Sequence, residues 1–324
     1  MLFWFMLFLL ILGIAYLVLF YISKMRKNRA EVKTNNSDIS YETADKYELV
    51  QNRAVITGGK HKPLLRTCEQ SPLVIAHRGG AGLKPENTMP AFINAVNLGV
   101  DMLEIDVRLT ADGNLVTHHD STIDRMSDGQ GEIYQKTYQE LKEFDFSGSF
   151  SDTCLQSGEE KVEITLLQDV MQKFENMQLT VEIKDGDERG RKAVDELMKL
   201  VKKFAYEDKL IVGSFHDEVL KYLKNNYSED IKISASKKKV AGFYLTNKLN
   251  LDGLWNFDIA ALQIPTTYKG FKLAQSDLIK AAHRKNIAVH FWTVNDPAEM
   301  KRLIDLNADG IMTDRPDVLL DIIK

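Results

Sequence analysis

The predicted fold depends above all on residues 73–120, LVIAHRGGAGLKPENTMPAFINAVNLGVDMLEIDVRLTADGNLVTHHD. The apolar run 73–76 ends in His77, Arg78 and a glycine-rich turn, which is how a buried parallel strand delivers side chains to an active-site rim. Residues 87–99 follow with apolar positions at helical spacing and a terminal glycine. The stretch therefore predicts a buried strand, a catalytic rim and a helix packed outside the strand.

A second strand, predicted over 102–107, carries two acidic residues. Because strand side chains alternate, Glu104 and Asp106 share one face, and the apolar residues between them share the other. Two carboxylates on one buried face favour a bound cation. Their oxygen ligands suit Mg²⁺ or Ca²⁺ better than zinc.

From residue 73 to the end of the chain, strand and helix patterns alternate eight times. This count predicts an α/β protein with a closed (β/α)₈ TIM barrel, whose active site lies at the carboxyl ends of the strands. On the third strand, Glu182 and Lys184 share a face, which gives a third carboxylate for a cation and an ammonium group for phosphate. A structural salt bridge is the alternative for this pair.

Other strand ends are predicted to complete the rim, namely Ser214, Phe215, Gln263, Trp292 and Asp314. His118 and His119 are adjacent, so alternation lets only one of them face the site. Histidines on barrel elements more often pack or face solvent, and no catalytic role is assigned to His216, His283 or His290.

The barrel pattern is interrupted by an insertion at about 108–163, after the second strand. Long connections on barrel enzymes usually shape the substrate site, so this insertion is expected over the mouth. Its residues Phe144, Phe146 and Phe150 either offer apolar surface to a lipid tail or anchor the insertion to the barrel. Anchoring is the favoured interpretation.

The amino-terminal 22 residues contain no charged side chain, and this length suits a helix that crosses about 30 Å of hydrocarbon. The sequence therefore predicts a transmembrane helix at 1–23, a polar linker at 24–65 and a catalytic barrel at 66–324. A cleaved leader is the alternative for the first segment. Basic residues follow the apolar segment directly, which predicts a single-pass membrane protein with its catalytic domain on the cytoplasmic face.

The chain has 324 residues, a net charge of -4 and a pI near 6.0. Its length permits a large core. Its charge gives no electrostatic reason to expect a nucleic-acid partner.

The ordered motifs HRG, ENT, ExD and HD, followed by Asp124 and Arg125, resemble the glycerophosphodiester phosphodiesterase family. The resemblance runs from about residue 73 to the end of the chain. It implies a barrel enzyme that uses one divalent cation, Mg²⁺ or Ca²⁺, to hydrolyse glycerophosphodiesters to an alcohol and glycerol 3-phosphate. Membrane-bound members act on lysophospholipids as lysophospholipase D, so a lysophospholipid is a second expected substrate.

The resemblance also implies roles for residues at matching positions. His77 and His119 act as general base and general acid, and Glu104, Asp106 and Glu182 bind the metal. Arg78 and Lys184 face the phosphate and Trp292 packs on glycerol, while the ENT residues Glu86 and Asn87 belong to the substrate-binding set.

These groups suit phosphodiester chemistry, because a cation, Arg78 and Lys184 would neutralise charge that gathers in the transition state. Either water or a substrate hydroxyl could attack, and the second route passes through a cyclic phosphate. Two other functions are considered: a phosphatidylinositol-type phospholipase C, which cleaves on the other side of phosphorus, and a non-catalytic phospholipid-binding barrel.

Overall fold

A computed structural model describes residues 71–150, 161–227, 231–249, 251 and 258–324. The predicted transmembrane helix at 1–23 and linker at 24–65 lie outside these residues. Within the described ranges, no helix combines the length and apolarity needed to cross a bilayer.

A parallel barrel forms the centre of the fold. The strands of the described residues are β1 Leu73–Ala76, β2 Met102–Leu109, β3 Leu115–Thr117, β4 Gln178–Ile183, β5 Leu210–Gly213, β6 Lys232–Ile233, β7 Ala261–Pro265, β8 Thr267–Tyr268, β9 Phe271–Lys272, β10 Ala288–Trp292 and β11 Gly310–Thr313. Eight of them pair in the order β6-β5-β4-β2-β1-β11-β10-β7, all in parallel. A parallel bridge between Ser234 and Ala261 joins the two ends of this path. The predicted barrel is confirmed.

Helices follow the barrel strands and pack outside them. In the described part of the chain they are α1 Met89–Leu98, α2 Tyr138–Leu141, α3 Leu167–Lys173, α4 Asp187–Phe204, α5 Asp217–Asn226, α6 Lys237–Lys248, α7 Ser276–His283, α8 Pro297–Asp305 and α9 Pro316–Ile323. Thr88 caps the amino terminus of α1, because its hydroxyl accepts a hydrogen bond from the Ala91 N–H at 3.5 Å. Gly99 ends this helix with φ 88°, a left-handed conformation that glycine adopts without strain.

Alternation along each strand divides the apolar residues into two layers. On β2, Leu103, Ile105 and Val107 belong to the cluster between barrel and helices. Met102 belongs to a smaller cluster with Ile75, on the opposite face of the strands. Because side chains alternate, Glu104 and Asp106 lie on the same face as Met102, toward the barrel interior.

Strand register determines which ionisable residues meet at the carboxyl end of the barrel. Asp106 of β2 pairs in register with Glu182 of β4. Ala76 of β1 pairs with Leu103 on one side and with Thr313 of β11 on the other. The next residues along these three strands are His77, Glu104 and Asp314, so the closure of the barrel brings them together.

The turn after β1 is tightly packed against α1. Arg78 and Gly79 both have positive φ, 52° and 81°. A side chain at Gly79 would place its Cβ 2.9 Å from atoms of Ala91 and Phe92. The glycine therefore allows this turn to approach the helix closely.

The insertion has a hydrophobic cluster of its own. Strand β2 runs to Leu109, two residues beyond the predicted end, because β3 folds back and pairs with it antiparallel. Beyond this hairpin, Phe146 is buried with Val116, Ile123 and neighbouring residues, and Phe144 packs against the same cluster. Phe144 and Phe146 therefore pack against residues of the insertion itself, and the favoured interpretation, that they anchor the insertion to the barrel, stays a prediction.

His118 belongs to this packed region. It is 3% exposed, its Nε2 donates a hydrogen bond to the Thr122 carbonyl at 3.1 Å, and its ring meets that of Phe146 edge-on at 5.9 Å. Burial lowers the pKa of His118 to about 4. The imidazole is therefore neutral at physiological pH.

We expect His118→Gln to flatten the pH dependence of stability on the acid side. Below its ordinary pKa of 6.5 the unfolded chain binds a proton that the folded imidazole resists, so wild-type stability falls as pH drops from 6.5 toward 4. His118 alone is expected to lower the free energy of unfolding by roughly 2 kcal/mol between pH 8 and pH 5. Urea unfolding of wild type and variant at pH 8 and pH 5 measures this loss of stability. An equal loss in both proteins would contradict the interpretation that His118 is buried in its neutral form.

Candidate active site

Three carboxylates meet at the carboxyl ends of β2 and β4. One oxygen from each of Glu104, Asp106 and Glu182 lies within 4.8 Å of the other two. Glu104 is 3% exposed and Asp106 is 1% exposed. Carboxylates this close and this buried require compensating positive charge.

Asp106 receives that compensation from two side chains. Lys184 Nζ lies 3.0 Å from Asp106 Oδ1, and Arg78 Nε lies 3.1 Å from Oδ2. Asn87 Nδ2 also donates to Oδ2, at 3.0 Å. Burial opposes ionisation of Asp106, but Lys184 and Arg78 outweigh it and lower its pKa. Asp106 is therefore a stable carboxylate.

Glu104 and Glu182 are less fully compensated. Burial and the neighbouring charge of Asp106 together raise the pKa of Glu104 to about 7. Burial also raises the pKa of Glu182, although Lys184 Nζ donates to its Oε1 at 2.9 Å and opposes that shift. Both acids would ionise more readily beside an added cation. The three-carboxylate set fits a hard divalent cation that takes oxygen ligands.

His77 is held by a residue from the opposite end of the chain. Its Nδ1 donates to Asp314 Oδ1 at 2.6 Å, and Asn295 donates to the other oxygen of Asp314 at 2.7 Å. Burial opposes protonation of His77, but Asp314 and the charge of Glu104 outweigh burial and raise its pKa. The Asp314 bond also fixes the ring and leaves Nε2 for proton exchange.

His119 is held by a second aspartate. Its Nδ1 donates to Asp120 Oδ1 at 2.7 Å, and Arg125 Nε donates to the other oxygen at 2.6 Å. Burial and the charge of Lys184 lower the pKa of His119. The two histidines thus have the same Nδ1-to-aspartate arrangement but opposite pKa shifts.

Glu86 joins the arginines of this region. It accepts hydrogen bonds from Arg78 NH1 at 2.9 Å and from Arg125 NH2 at 2.6 Å. Burial opposes its ionisation, but Arg125 and Arg78 lower its pKa. Glu86 therefore orients the two guanidinium groups.

A cavity of about 130 Å³ opens between these groups. It is lined by both histidines, the three clustered acids, Arg78 and Lys184. Phe215 and Trp292 form an apolar wall of the same cavity. The two aromatic rings meet edge-on with centroids 6.0 Å apart. The cavity combines an acidic cluster, two cations and two imidazoles, which is the equipment for binding an anionic ester and transferring protons to and from it.

The model of the Glycerophosphoryl diester phosphodiesterase family matches residues 77–318 of this sequence. This range contains the acidic cluster, both histidines and Asp314. The chain belongs to this family.

Individual relatives agree with the family match. The chain is 31% identical over 255 residues to a glycerophosphodiester phosphodiesterase of Caldanaerobacter subterraneus, which covers 78% of this chain and 98% of that protein. It is 33% identical over 273 residues to Lysophospholipase D GDPD1 of Homo sapiens, which covers 77% of this chain and 85% of that protein.

Solved structures of the family share the fold. A phosphodiesterase of Oleispira antarctica, in complex with the product sn-glycerol-3-phosphate, matches with a TM-score of 0.63 and 28% identity over 78% of this chain and 97% of that chain. A glycerophosphodiester phosphodiesterase of Agrobacterium tumefaciens matches with a TM-score of 0.63 and 20% identity over 78% of this chain and all of that chain, 100%.

The structure brings most of the predicted site residues of this family member together. Eight of the ten line the cavity: His77, Arg78, Glu104, Asp106, His119, Glu182, Lys184 and Trp292. The two ENT residues are not among the residues that line it. Asn87 is 2% exposed and bonds to Asp106 instead of lining the cavity, and Glu86 bonds to arginines. Both residues thus support side chains that line the cavity, and their predicted contact with substrate stays a prediction.

Sequence reasoning did not find the partners of the two histidines. Asp314 was predicted only as a rim residue, and its separation of 237 residues from His77 conceals the pair. The register of β1 with β11 was the signal that could have revealed it. Asp120 directly follows His119 and was available as a local signal.

The remaining histidines lie in other surroundings. His216 is close to Glu218, with its Nδ1 3.4 Å from the carboxylate, and His283 Nε2 donates to buried Asp309 at 2.7 Å. His290 is buried on the barrel side of β10, where Gln263 Nε2 lies 3.5 Å from its Nδ1. None of these three is among the residues that line the described cavity. Their lack of a catalytic role stays a prediction.

We expect Glu104→Gln to weaken binding of Mg²⁺ or Ca²⁺ by tenfold or more, on the order of the effect of altering a metal site, with little loss of stability. The substitution removes one carboxylate ligand but preserves shape and an oxygen acceptor. Calorimetric titration of the metal-free protein measures the affinity, and urea unfolding checks the fold. Glu163→Gln, at a 53% exposed acid of the insertion, is the control. Equal affinities for wild type and Glu104→Gln would contradict the ligand assignment.

Proposed function

We propose that this protein hydrolyses glycerophosphodiesters to an alcohol and glycerol 3-phosphate, with one divalent cation, Mg²⁺ or Ca²⁺. The observation that carries this proposal is the shared cavity, in which three acids, two cations and two histidines with opposite pKa shifts surround one space. Membership of the family and the product complex of the Oleispira relative support it.

Glu104, Asp106 and Glu182 would hold the cation, which when bound supplies positive charge to the phosphate and its transition state. Arg78 and Lys184 are already engaged with these acids, and both remain cationic because nearby carboxylates outweigh burial and raise their pKa values. They add positive charge at the position where a phosphodiester would bind.

The two histidines would divide the proton transfers, in roles opposite to those that the family resemblance implies, because their pKa values are shifted in opposite directions. His119, whose pKa is lowered by burial and Lys184, is neutral and accepts a proton from the attacking hydroxyl. His77, whose pKa is raised through Asp314 and Glu104 against the effect of burial, donates a proton to the leaving alkoxide. Asp120 and Asp314 each hold the Nδ1 side of one ring, so that Nε2 exchanges the proton.

The aromatic wall would receive the glycerol part of the substrate. Trp292 and Phe215 line the same cavity as the acids, and Lys184 Nζ lies 5.7 Å from the Phe215 ring centre. Phosphate at Lys184 therefore places the adjoining carbon atoms beside an apolar surface. The similarity to Lysophospholipase D GDPD1 favours a lysophospholipid as a second substrate.

Two other functions are less well supported. The family model and the bacterial relative that this chain matches are those of glycerophosphodiester phosphodiesterases. This similarity does not favour a phosphatidylinositol-type phospholipase C. A binding protein without activity has no need for two oriented histidines, yet each is held here by an aspartate. Product identity separates these functions.

The decisive test offers glycerophosphocholine and lysophosphatidylcholine to the full-length chain, with Mg²⁺, Ca²⁺ or a chelator. We expect glycerol 3-phosphate from the first and lysophosphatidic acid from the second, only when a metal is present. His77→Ala and His119→Ala are expected to lower kcat by 10²-fold or more, on the order of the contribution of a general acid or base.

His216→Ala is the matched control, because it removes a 46% exposed histidine outside the cavity lining. It is expected to keep wild-type turnover. Release of phosphocholine instead of choline would refute the proposed bond cleavage, and unchanged turnover in a cavity variant would remove that histidine from the mechanism.

We also propose that residues 1–23 anchor the enzyme as a single-pass membrane protein with its catalytic domain on the cytoplasmic face. The uncharged segment and the basic residues that follow it support this proposal. Replacement of Leu10 and Ile14 by lysine is expected to move the protein from the membrane fraction to the soluble fraction, because charge at the centre of a spanning helix is unfavourable. Replacement of Lys33 and Glu42 in the linker by alanine is the control. Retention of the lysine variant in membranes would contradict the anchor.

A further inference from the structure

An apolar groove adjoins the active-site cavity. It has a volume of about 700 Å³ and lies between α6 on one side and the end of β7 with the β8–β9 hairpin on the other. Val240, Tyr244 and Leu245 line the helix side, and Ile264, Phe271 and Leu273 line the other. The rings of Tyr244 and Phe271 meet edge-on at 6.1 Å across the two sides.

The groove is open to solvent although its surface is apolar. Leu245 is 58% exposed and Phe271 is 59% exposed. Isolated exposed apolar residues are ordinary, but a concave patch of them beside a catalytic cavity marks a ligand groove. The barrel fold itself does not require these side chains at the surface.

The groove and the cavity are continuous. Phe215, Ala235, Gln263 and Trp292 line both of them. Phe215 lies at the junction, with Lys184 Nζ 5.7 Å from its ring centre and Lys237 Nζ 4.4 Å from it. An anionic group bound at Lys184 is therefore separated from the apolar groove by one aromatic ring.

We propose that this groove binds the acyl chain of a monoacyl glycerophosphodiester, so that the enzyme prefers lysophospholipid-type substrates to their deacylated forms. The assignment rests on the proposed function and specifies its substrate class. Phosphate occupies the polar cavity, glycerol lies against Phe215 and Trp292, and the ester-linked chain extends along the groove that Tyr244 and Phe271 help to line.

The dimensions and chemistry of the groove agree with a single hydrocarbon chain. Its volume falls within the roughly 300–1,000 Å³ typical of small-molecule sites. Among the residues that the structure describes, its lining carries no carboxylate and is dominated by aliphatic and aromatic side chains, with Lys237 at the junction near the phosphate. Only a substrate that is polar at one end and apolar at the other fills both spaces.

The test measures choline release by the full-length chain, held in solution by an amphipathic polymer. The substrates are glycerophosphocholine and its 1-hexanoyl, 1-octanoyl and 1-decanoyl esters, all below their micelle-forming concentrations. Burial of a methylene group raises affinity by roughly fourfold. We therefore expect kcat/KM to rise by roughly tenfold or more from the hexanoyl to the decanoyl ester.

Ala241→Trp fills the groove from α6 without touching the cavity, since Ala241 lines the groove but not the cavity. It is expected to abolish the dependence on chain length while glycerophosphocholine is hydrolysed as by wild type. Lys238→Trp, which adds the same side chain at an exposed position of α6 outside the groove lining, is the matched control and keeps the dependence.

The outcomes separate the groove from the chemistry. Rates that do not depend on chain length in wild type, or a dependence that survives Ala241→Trp and Leu245→Asp, overturn the acyl assignment. Loss of vesicle binding in these variants with intact chain-length dependence identifies a bilayer contact and also overturns it. If no substrate releases choline, yet the decanoyl ester binds wild type and not Ala241→Trp in calorimetry, the groove assignment stands and the proposed function fails.

Discussion

A single buried carboxylate, Asp106, determines how the rest of the site is arranged. At 1% exposure its charge is stable only because Lys184 and Arg78 lie 3.0 and 3.1 Å from its oxygens. Removal of one partner from such a buried pair costs about 3–5 kcal/mol, since the other charge stays buried. The strands that carry these residues must therefore keep their register.

The same cations are not sufficient for the whole cluster. With Asp106 ionised, Glu104 is 3% exposed beside a like charge, and its pKa rises to about 7. Replacing an acid by an apolar residue would relieve this repulsion, so the cluster is better explained by a ligand than by stability. A divalent cation would neutralise the repulsion between carboxylates that Lys184 and Arg78 do not fully compensate.

Much of this arrangement could be predicted from local sequence. A period of two places Glu104 with Asp106 and Glu182 with Lys184, because no long-range information is needed to decide which strand residues share a face. Eight strand-helix repeats then predict closure, and closure places every strand end at one rim. The prediction was accurate for these residues because each depended on backbone geometry alone.

The contacts that were not predicted depend on which strands are neighbours and on packing in the insertion. His77 meets Asp314 because β1 pairs with β11, and this pairing exists only after the barrel has closed. The hydrogen bond from Asn87 to Asp106 was not predicted either, because it joins two residues 19 positions apart that only the packing of the turn on the barrel brings together. His118 and His119 are distinguished by the cluster around Phe146, which has no periodic signal in the sequence.

The fold separates the chemistry of the site from the recognition of its substrate. The acids and His77 lie at or directly after strands that pair with several neighbours, so a change there disturbs the barrel register. The groove is built from α6 and a two-stranded hairpin outside the main sheet, where Tyr244 and Phe271 meet. Side chains can change there without moving Asp106 or Lys184, and chain-length preference can therefore vary while the phosphodiesterase site stays constant.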